Sequence, residues 1–121
     1  MNIHESAEDY LETILMLQEK NGAVRSIDIA SELNVTRPSV SYAMKRLREN
    51  GYIEMDRANL ITLTESGMEI ARKVYTTHKL ITKFLMQLGV NASDARLDAG
   101  KIEHDISPAT LEAFKRQLEA I

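Results

Sequence analysis

Five side chains able to hold a metal ion stand at three places in the sequence. Asp9 and Glu12 are three positions apart in a helical stretch, so both carboxylates project from one face. Glu103 and His104 are adjacent, and His78 lies in a long helical run among Val74, Tyr75, Leu80 and Ile81. The chain has 3 histidines, and two of them stand in these places. Three carboxylates and two imidazoles, if gathered, make a hard O/N site suited to Mn(II) or Fe(II). Spacing alone does not gather them. Helical charged pairs are usually solvated, and a lone histidine on a partly apolar face is usually a packed core residue. Cysteine is absent, which removes disulfides, thiolate catalysis and sulfur-ligated zinc.

A second constellation is basic. The stretch from Arg37 through Arg48 holds Arg37, Lys45, Arg46 and Arg48 and no acid. It lies on a helix where Val40, Met44 and Leu47 fall within a narrow arc, with Ala43 beside them, and form the inward face. The opposite arc carries Pro38, Ser41, Tyr42, Lys45 and Glu49. Such a face can enter a DNA major groove with its N-terminal residues nearest the base edges. Ser39, Ser41 and Tyr42 are short or rigid polar groups able to touch bases. Arg37, Lys45, Arg46, Arg48 and Arg57 suit phosphates, which position a protein without carrying sequence information. Ser26 and Thr36, at helix starts, join this set. A single exposed cation is more often just solvated; the argument for DNA rests on the whole group.

These residues need elements to hold them. Ser6 has N-cap character for a first helix carrying Tyr10, Leu11, Ile14, Leu15 and Leu17, which stops at Asn21-Gly22. A second helix starts at Ser26 with Ile27, Ile29, Ala30 and Leu33 as its apolar face. Asn34-Val35-Thr36 makes a short turn, and Thr36 caps a third helix with Pro38 in its first turn, ending at Gly51. Two β-prone runs follow, Tyr52 to Met55 and Leu60 to Leu63, around a tip at Asp56-Arg57-Ala58-Asn59. Thr64 caps a long helix to about Leu88, ended by Gly89. Ser93 caps a short helix to about Asp105, and Ser107-Pro108 caps a last one with Leu111, Phe114 and Leu118 on one face. Helix, helix-turn-helix and hairpin form the winged-helix pattern. The expected fold is mostly α with a small β-wing: residues 1–63 a winged helix-turn-helix that binds DNA, residues 64–121 a helical metal-binding and dimerisation domain.

The chain has 121 residues, 44% hydrophobic and 27% charged, enough for one core or two small subdomains. The net charge of -3 argues against non-specific coating of nucleic acid, not against DNA binding by one basic face. No apolar run approaches membrane-spanning length and no signal-peptide pattern occurs, so a soluble cytoplasmic protein with no membrane partner is expected. Met68, Val74, Leu80, Ile81, Phe84, Leu85, Leu88, Leu111, Phe114 and Leu118 exceed what a monomer of this size can cover. They are candidates for the core and for an isologous interface in a C2 homodimer.

The runs Ala7-Glu8-Asp9-Tyr10-Leu11-Glu12-Thr13-Ile14 and Asp28-Ile29-Ala30 through Pro38-Ser39-Val40-Ser41 resemble the diphtheria-toxin-repressor (DtxR) family. So do the Leu63-Thr64-Glu65-Ser66-Gly67 junction, His78 in the long helix and Ile102-Glu103-His104. The likeness is greater to its manganese (MntR-like) branch and covers nearly the whole chain. It implies a metal-dependent repressor, not an enzyme, that binds palindromic double-stranded operator DNA as a homodimer and controls metal-homeostasis genes. Mn(2+) or Fe(2+) is the implied cofactor, with other divalent metals able to substitute in vitro. Asp9, Glu12, His78, Glu103 and His104 match metal-binding positions of the manganese branch. Asp9 stands where iron-type members place methionine, which favours a harder ion. Where the family places a bridging carboxylate or a cysteine, this chain has Gly100, leaving only its backbone carbonyl to coordinate. Arg96 and Thr82 replace the ancillary ligands of iron-type members, so that ancillary site is expected to be absent, as is the SH3-like third domain of longer members.

The implied mechanism sets carboxylate repulsion in the metal-free protein against neutralisation by metal, which selects the spacing that suits adjacent major grooves. A ligand shifts such an equilibrium only by its differential affinity for the two states. The alternative is a metal-independent winged-helix regulator whose site has decayed, Gly100 being the first loss. A metal-dependent hydrolase is a poor third, since the sequence has no Gly-rich phosphate loop and no nucleophile–base pair.

Overall fold

The computed structural model describes residues 3–120, with side chains from Ser6 onward. In chain order the elements are α1 (Ile3–Asn21), α2 (Ser26–Leu33), α3 (Arg37–Glu49), β1 (Ile53–Met55), β2 (Ile61–Leu63), α4 (Glu65–Gln87), α5 (Ala92–Ile102) and α6 (Pro108–Glu119). The fold is therefore mostly helical with a small two-stranded wing. The chain divides into two compact units between Arg72 and Lys73, within α4.

In the first unit α1 packs on α2, α3 and β2, and α3 packs on α2 and β1. The core takes Leu11 and Ile14 from α1, Ile29 from α2, and Val40, Met44 and Leu47 from α3, closed by Val24, Ile53 and Ile61. Each such side chain contributes about 1.5–3 kcal/mol by leaving water. Ile27, expected on the apolar face of α2, is instead 49% exposed, because it stands about 200° around the helix from Ile29. The turn after α2 places Asn34 in the left-handed region (φ 53), where a short polar side chain is tolerated. Thr36 then caps α3, its hydroxyl accepting the Ser39 N–H at 3.3 Å, with Pro38 in the first turn.

The wing is an antiparallel pair with Ile53 opposite Leu63, Glu54 opposite Thr62 and Met55 opposite Ile61. Its strands are shorter than the β-prone runs, because Tyr52 and Leu60 serve as connections. At the tip one oxygen of Asp56 accepts the N–H groups of Ala58 and Leu60, both at 2.9 Å. Asn59 completes the reversal at φ 61. Two contacts tie this hairpin to the body: the Ile61 N–H donates to the Val24 carbonyl at 2.8 Å, and Arg25 Nε donates to the Ala58 carbonyl at 3.4 Å.

At the base of the wing the Thr64 hydroxyl donates to the Gly51 carbonyl at 2.7 Å and accepts the Gly67 N–H at 3.2 Å. That seats the first turn of α4 against Tyr52. A Cβ at Gly67 would collide with the Tyr52 carbonyl oxygen, so the position requires glycine.

Three helix ends differ from expectation. Ser6 lies inside α1, which begins by Ile3; nothing in Ile3-His4-Glu5 breaks a helix, and serine inside one costs only tenths of a kcal/mol, about 0.5. Asn91, not Ser93, caps α5: its side chain accepts the Asp94 N–H at 2.9 Å and donates to the Asp94 carboxylate at 2.8 Å. Both residues can cap, and the reciprocal Asn91–Asp94 pair decides between them. Finally, α5 stops at Ile102, so Glu103 to Asp105 form a turn rather than helix.

The second unit holds the remainder of α4 with α5 and α6. Val74, Ile81, Ala95 and Ala99 are buried, and the rings of Phe84 and Phe114 stack at 4.1 Å. No residue of α6 is buried, and Met86, Leu88 and Leu97 are exposed.

Candidate metal centre and nucleic-acid face

The turn after α5 brings its donors to α4. Glu103 Oε2 lies 2.9 Å from His78 Nδ1, and Glu103 Oε1 lies 3.5 Å from His104 Nε2. The Glu103 and His104 side chains are 2% and 4% exposed, and His78 is 20% exposed. The sequence positions 78 and 103–104 are thus gathered within the second unit. Their spacing suits a metal: two neighbouring ligands of one octahedral ion, each bonded at about 2.1 Å, sit about 3 Å apart. Nitrogen and carboxylate oxygen without sulfur are donors for Mn(II), Fe(II) or Zn(II). Glu103 with His78, and Glu103 with His104, are therefore candidate metal-binding groups. The Thr82 hydroxyl is engaged elsewhere, donating to the His78 carbonyl at 2.8 Å.

In the first unit Asp9 and Glu12 lie one turn apart on α1, as their spacing requires. The Asp9 carbonyl accepts the Thr13 hydroxyl at 2.8 Å, and Glu12 is buried. Gly100 lies on α5 one turn before Glu103, and a Cβ there would meet nothing within 4 Å.

The α3 face is as the sequence predicts. Arg37, Pro38, Ser39, Ser41, Tyr42, Lys45, Arg46 and Arg48 are all exposed, while Val40, Met44 and Leu47 face the core. Ser26 opens α2, Thr36 is the α3 cap, and Arg57 is exposed at the wing tip. Thr36 and Ser39 already share a hydrogen bond between their hydroxyls at 2.8 Å. Arg46 Nη1 donates to the Tyr42 hydroxyl at 3.1 Å.

Residues 2–59 match the family model for the iron-dependent repressor N-terminal DNA-binding domain, and residues 64–121 match that for the iron-dependent repressor metal-binding and dimerisation domain. The transcriptional regulator MntR of Escherichia coli O6:H1 is 38% identical over 111 residues, 92% of this chain and 72% of that protein. The chain belongs to the DtxR/MntR family of metal-dependent transcriptional repressors. An HTH-type transcriptional regulator of Methanocaldococcus jannaschii is 38% identical over 117 residues, 95% of this chain and 94% of that one. Among solved structures, the manganese regulator SloR superposes with a TM-score of 0.82 at 31% identity. It covers 93% of this chain and 53% of its own. A manganese-dependent transcriptional repressor in complex with manganese gives 0.85 at 27% identity, covering 93% and 52%. The chain spans about half the length of those two solved chains.

As a DtxR/MntR-family member the chain is a DNA-binding regulator and not an enzyme. Among its described helices none is long and apolar enough to cross a membrane. Sequence reasoning missed two residues that hold the wing, Asp56 as the clasp of the tip and Arg25, just before α2, as its tether. An Asp followed by Arg-Ala-Asn at a hairpin tip carries the first signal. The second, a contact between residues 33 apart, leaves no local trace.

Proposed function

We propose that the protein represses metal-homeostasis genes by binding a palindromic operator as a homodimer when Mn(II) or Fe(II) is loaded. Residues 1–63 read DNA and residues 64–121 bind metal and dimerise. The reading is carried by Glu103, whose two oxygens address two different imidazoles, an arrangement with no evident purpose in packing. Asp9, Glu103 and His104 hold the better-occupied ion, with the Gly100 carbonyl or water completing its shell. His78 and Glu12 join the same site or hold a weaker second ion; His78 facing the other oxygen of Glu103 supports a role for it at the centre. The bound cation supplies positive charge that offsets the carboxylates and ties them together. Asp9 and Glu12 belong to the helix that packs on α3, so the α1 carboxylates carry that constraint to the DNA-reading face. Ser39, Ser41 and Tyr42 address the bases, Arg37, Lys45, Arg46, Arg48 and Arg57 address phosphates, and Ser26, Thr36 and Pro38 belong to the same DNA-binding set. The uncovered apolar side chains of the second unit support a second copy as its partner. A protein that reads chromosomal operators works in the cytoplasm.

The test is equilibrium binding to duplexes enriched from a random library, with Mn(II), with Fe(II) under anaerobic conditions, and with a chelator. Stimulation by at least one metal and its reversal by chelator are expected. Shifting a two-state equilibrium from 1:99 to 99:1 takes about 5.5 kcal/mol of differential affinity, so the effect is large if the states are well separated. Tight binding indifferent to chelator would overturn the reading in favour of a regulator whose metal site has decayed.

A further inference from the structure

Tyr42 is 62% exposed on the outer arc of α3, yet its side chain is held. Arg46, one turn later, donates Nη1–H to the phenol oxygen at 3.1 Å, and its guanidinium carbon lies 5.7 Å from the ring centroid. Both line a cleft of about 500 Å³ in the first unit, whose other wall includes Tyr10 and Tyr52. A phenol has one O–H to donate and an oxygen that accepts. Arg46 occupies the accepting side, which leaves Tyr42 able only to donate.

We infer that Tyr42 and Arg46 act as one recognition unit, in which Arg46 makes Tyr42 an obligate donor toward an acceptor on a base edge. Guanine O6 and N7, adenine N7 and thymine O4 are such acceptors in the major groove, whereas cytosine presents its N4 donor. The unit therefore excludes cytosine at one position of each half-site. Arg46 is then a positioning residue, beyond any phosphate contact of its remaining N–H groups. This rests on the DNA-reading role of α3 proposed above.

The experiment uses the full chain loaded with Mn(II), a duplex enriched from a random library, single-base variants of that duplex, and a random duplex. Tyr42→Phe should lose about 2- to 13-fold on the enriched duplex, confined to one base pair per half-site, and much less on the random duplex. Arg46→Ala frees the phenol oxygen to accept, so cytosine becomes tolerated at that same position. Arg46→Lys keeps the charge but loses the planar fork that holds the phenol oxygen, so it too relaxes the exclusion of cytosine. The double variant Tyr42→Phe/Arg46→Ala should discriminate no worse than Tyr42→Phe alone. Circular dichroism confirms folding, since both side chains are exposed. The inference fails if Tyr42→Phe weakens all sequences equally, if the two losses of discrimination multiply, or if wild type accepts cytosine at the affected position. A wild-type chain that enriches no sequence with Mn(II) or Fe(II) overturns the functional reading and the pair with it. Enrichment by wild type with base preferences unchanged in Tyr42→Phe removes only the pair.

Discussion

Two glycines within helices should answer the same substitution with opposite signs. Gly67 is in the first turn of α4, where a methyl group would run into the Tyr52 carbonyl oxygen. That oxygen cannot simply retreat, because it accepts the Thr64 N–H at 3.0 Å, and the Tyr52 N–H is itself bonded to the Leu47 carbonyl at 3.0 Å. Gly67→Ala therefore adds an overpacking cost of about 1–3 kcal/mol and strains or breaks a hydrogen bond for about 1–3 kcal/mol more. Better helix propensity returns about 1 kcal/mol. The net loss is about 3 kcal/mol, near the middle of that range. For a chain of this length, with an unfolding entropy of about 2.1 cal/mol/K per residue, it corresponds to a Tm drop of about 12 °C. Gly100 is also helical, but nothing lies within 4 Å of a Cβ there. Gly100→Ala should gain about 0.5–1 kcal/mol from reduced unfolded-state entropy and raise Tm by about 2–4 °C. Thermal denaturation in chelator, at one protein concentration, removes the linkage of Tm to metal and to dimerisation. The reasoning is refuted if Gly67→Ala melts within about 2 °C of wild type, or if Gly100→Ala is the more damaging of the two.

Further outcomes follow from the site and the wing. His104→Ala should abolish metal-stimulated DNA binding while circular dichroism stays native, although removing a side chain only 4% exposed will also lower Tm somewhat; retained stimulation would exclude His104 as a ligand. Calorimetric titration should find one tight Mn(II) per wild-type subunit, and Gly100→Glu should raise stoichiometry or affinity; two tight ions in wild type would show that Gly100 costs no ion. Asp56→Ala deprives two N–H groups of their acceptor, so exchange at Ala58 and Leu60 should quicken by about tenfold, with the core unaffected. Sedimentation at micromolar concentration should give a dimer, and a monomer there would leave the exposed Met86, Leu88 and Leu97 without the proposed partner.

The winged helix was legible because its signals are local. The 3.6-residue period of Val40, Met44 and Leu47, the Thr36 cap and Pro38 all lie within one segment and agree. Helix ends were less legible where several residues could cap: Ser93 competes with Asn91, and only the Asp94 side chain breaks the tie. The metal donors were legible as residue types but not as a group. Bringing position 78 to positions 103 and 104 is a matter of how α4 meets the turn after α5, which no spacing rule encodes. Gly67 stood out in the sequence as part of a family-like junction, but its reason, the Tyr52 carbonyl, lies across the wing.

The placement of Asp9 and Glu12 has a mechanical consequence. α1 turns Leu11 and Ile14 into the core while it also carries these two carboxylates, and α1 packs directly on α3. A close-packed interior transmits strain rather than absorbing it. A constraint on the α1 carboxylates is therefore a constraint on the position of the whole DNA-reading unit, wing included, because Arg25 and the Val24–Ile61 bond tie the wing to the same body. The winged helix is thus braced from α1 to the wing without a hinge of its own. On the reading proposed above, Asp9 and Glu12 would be the points at which a bound ion takes hold of that unit.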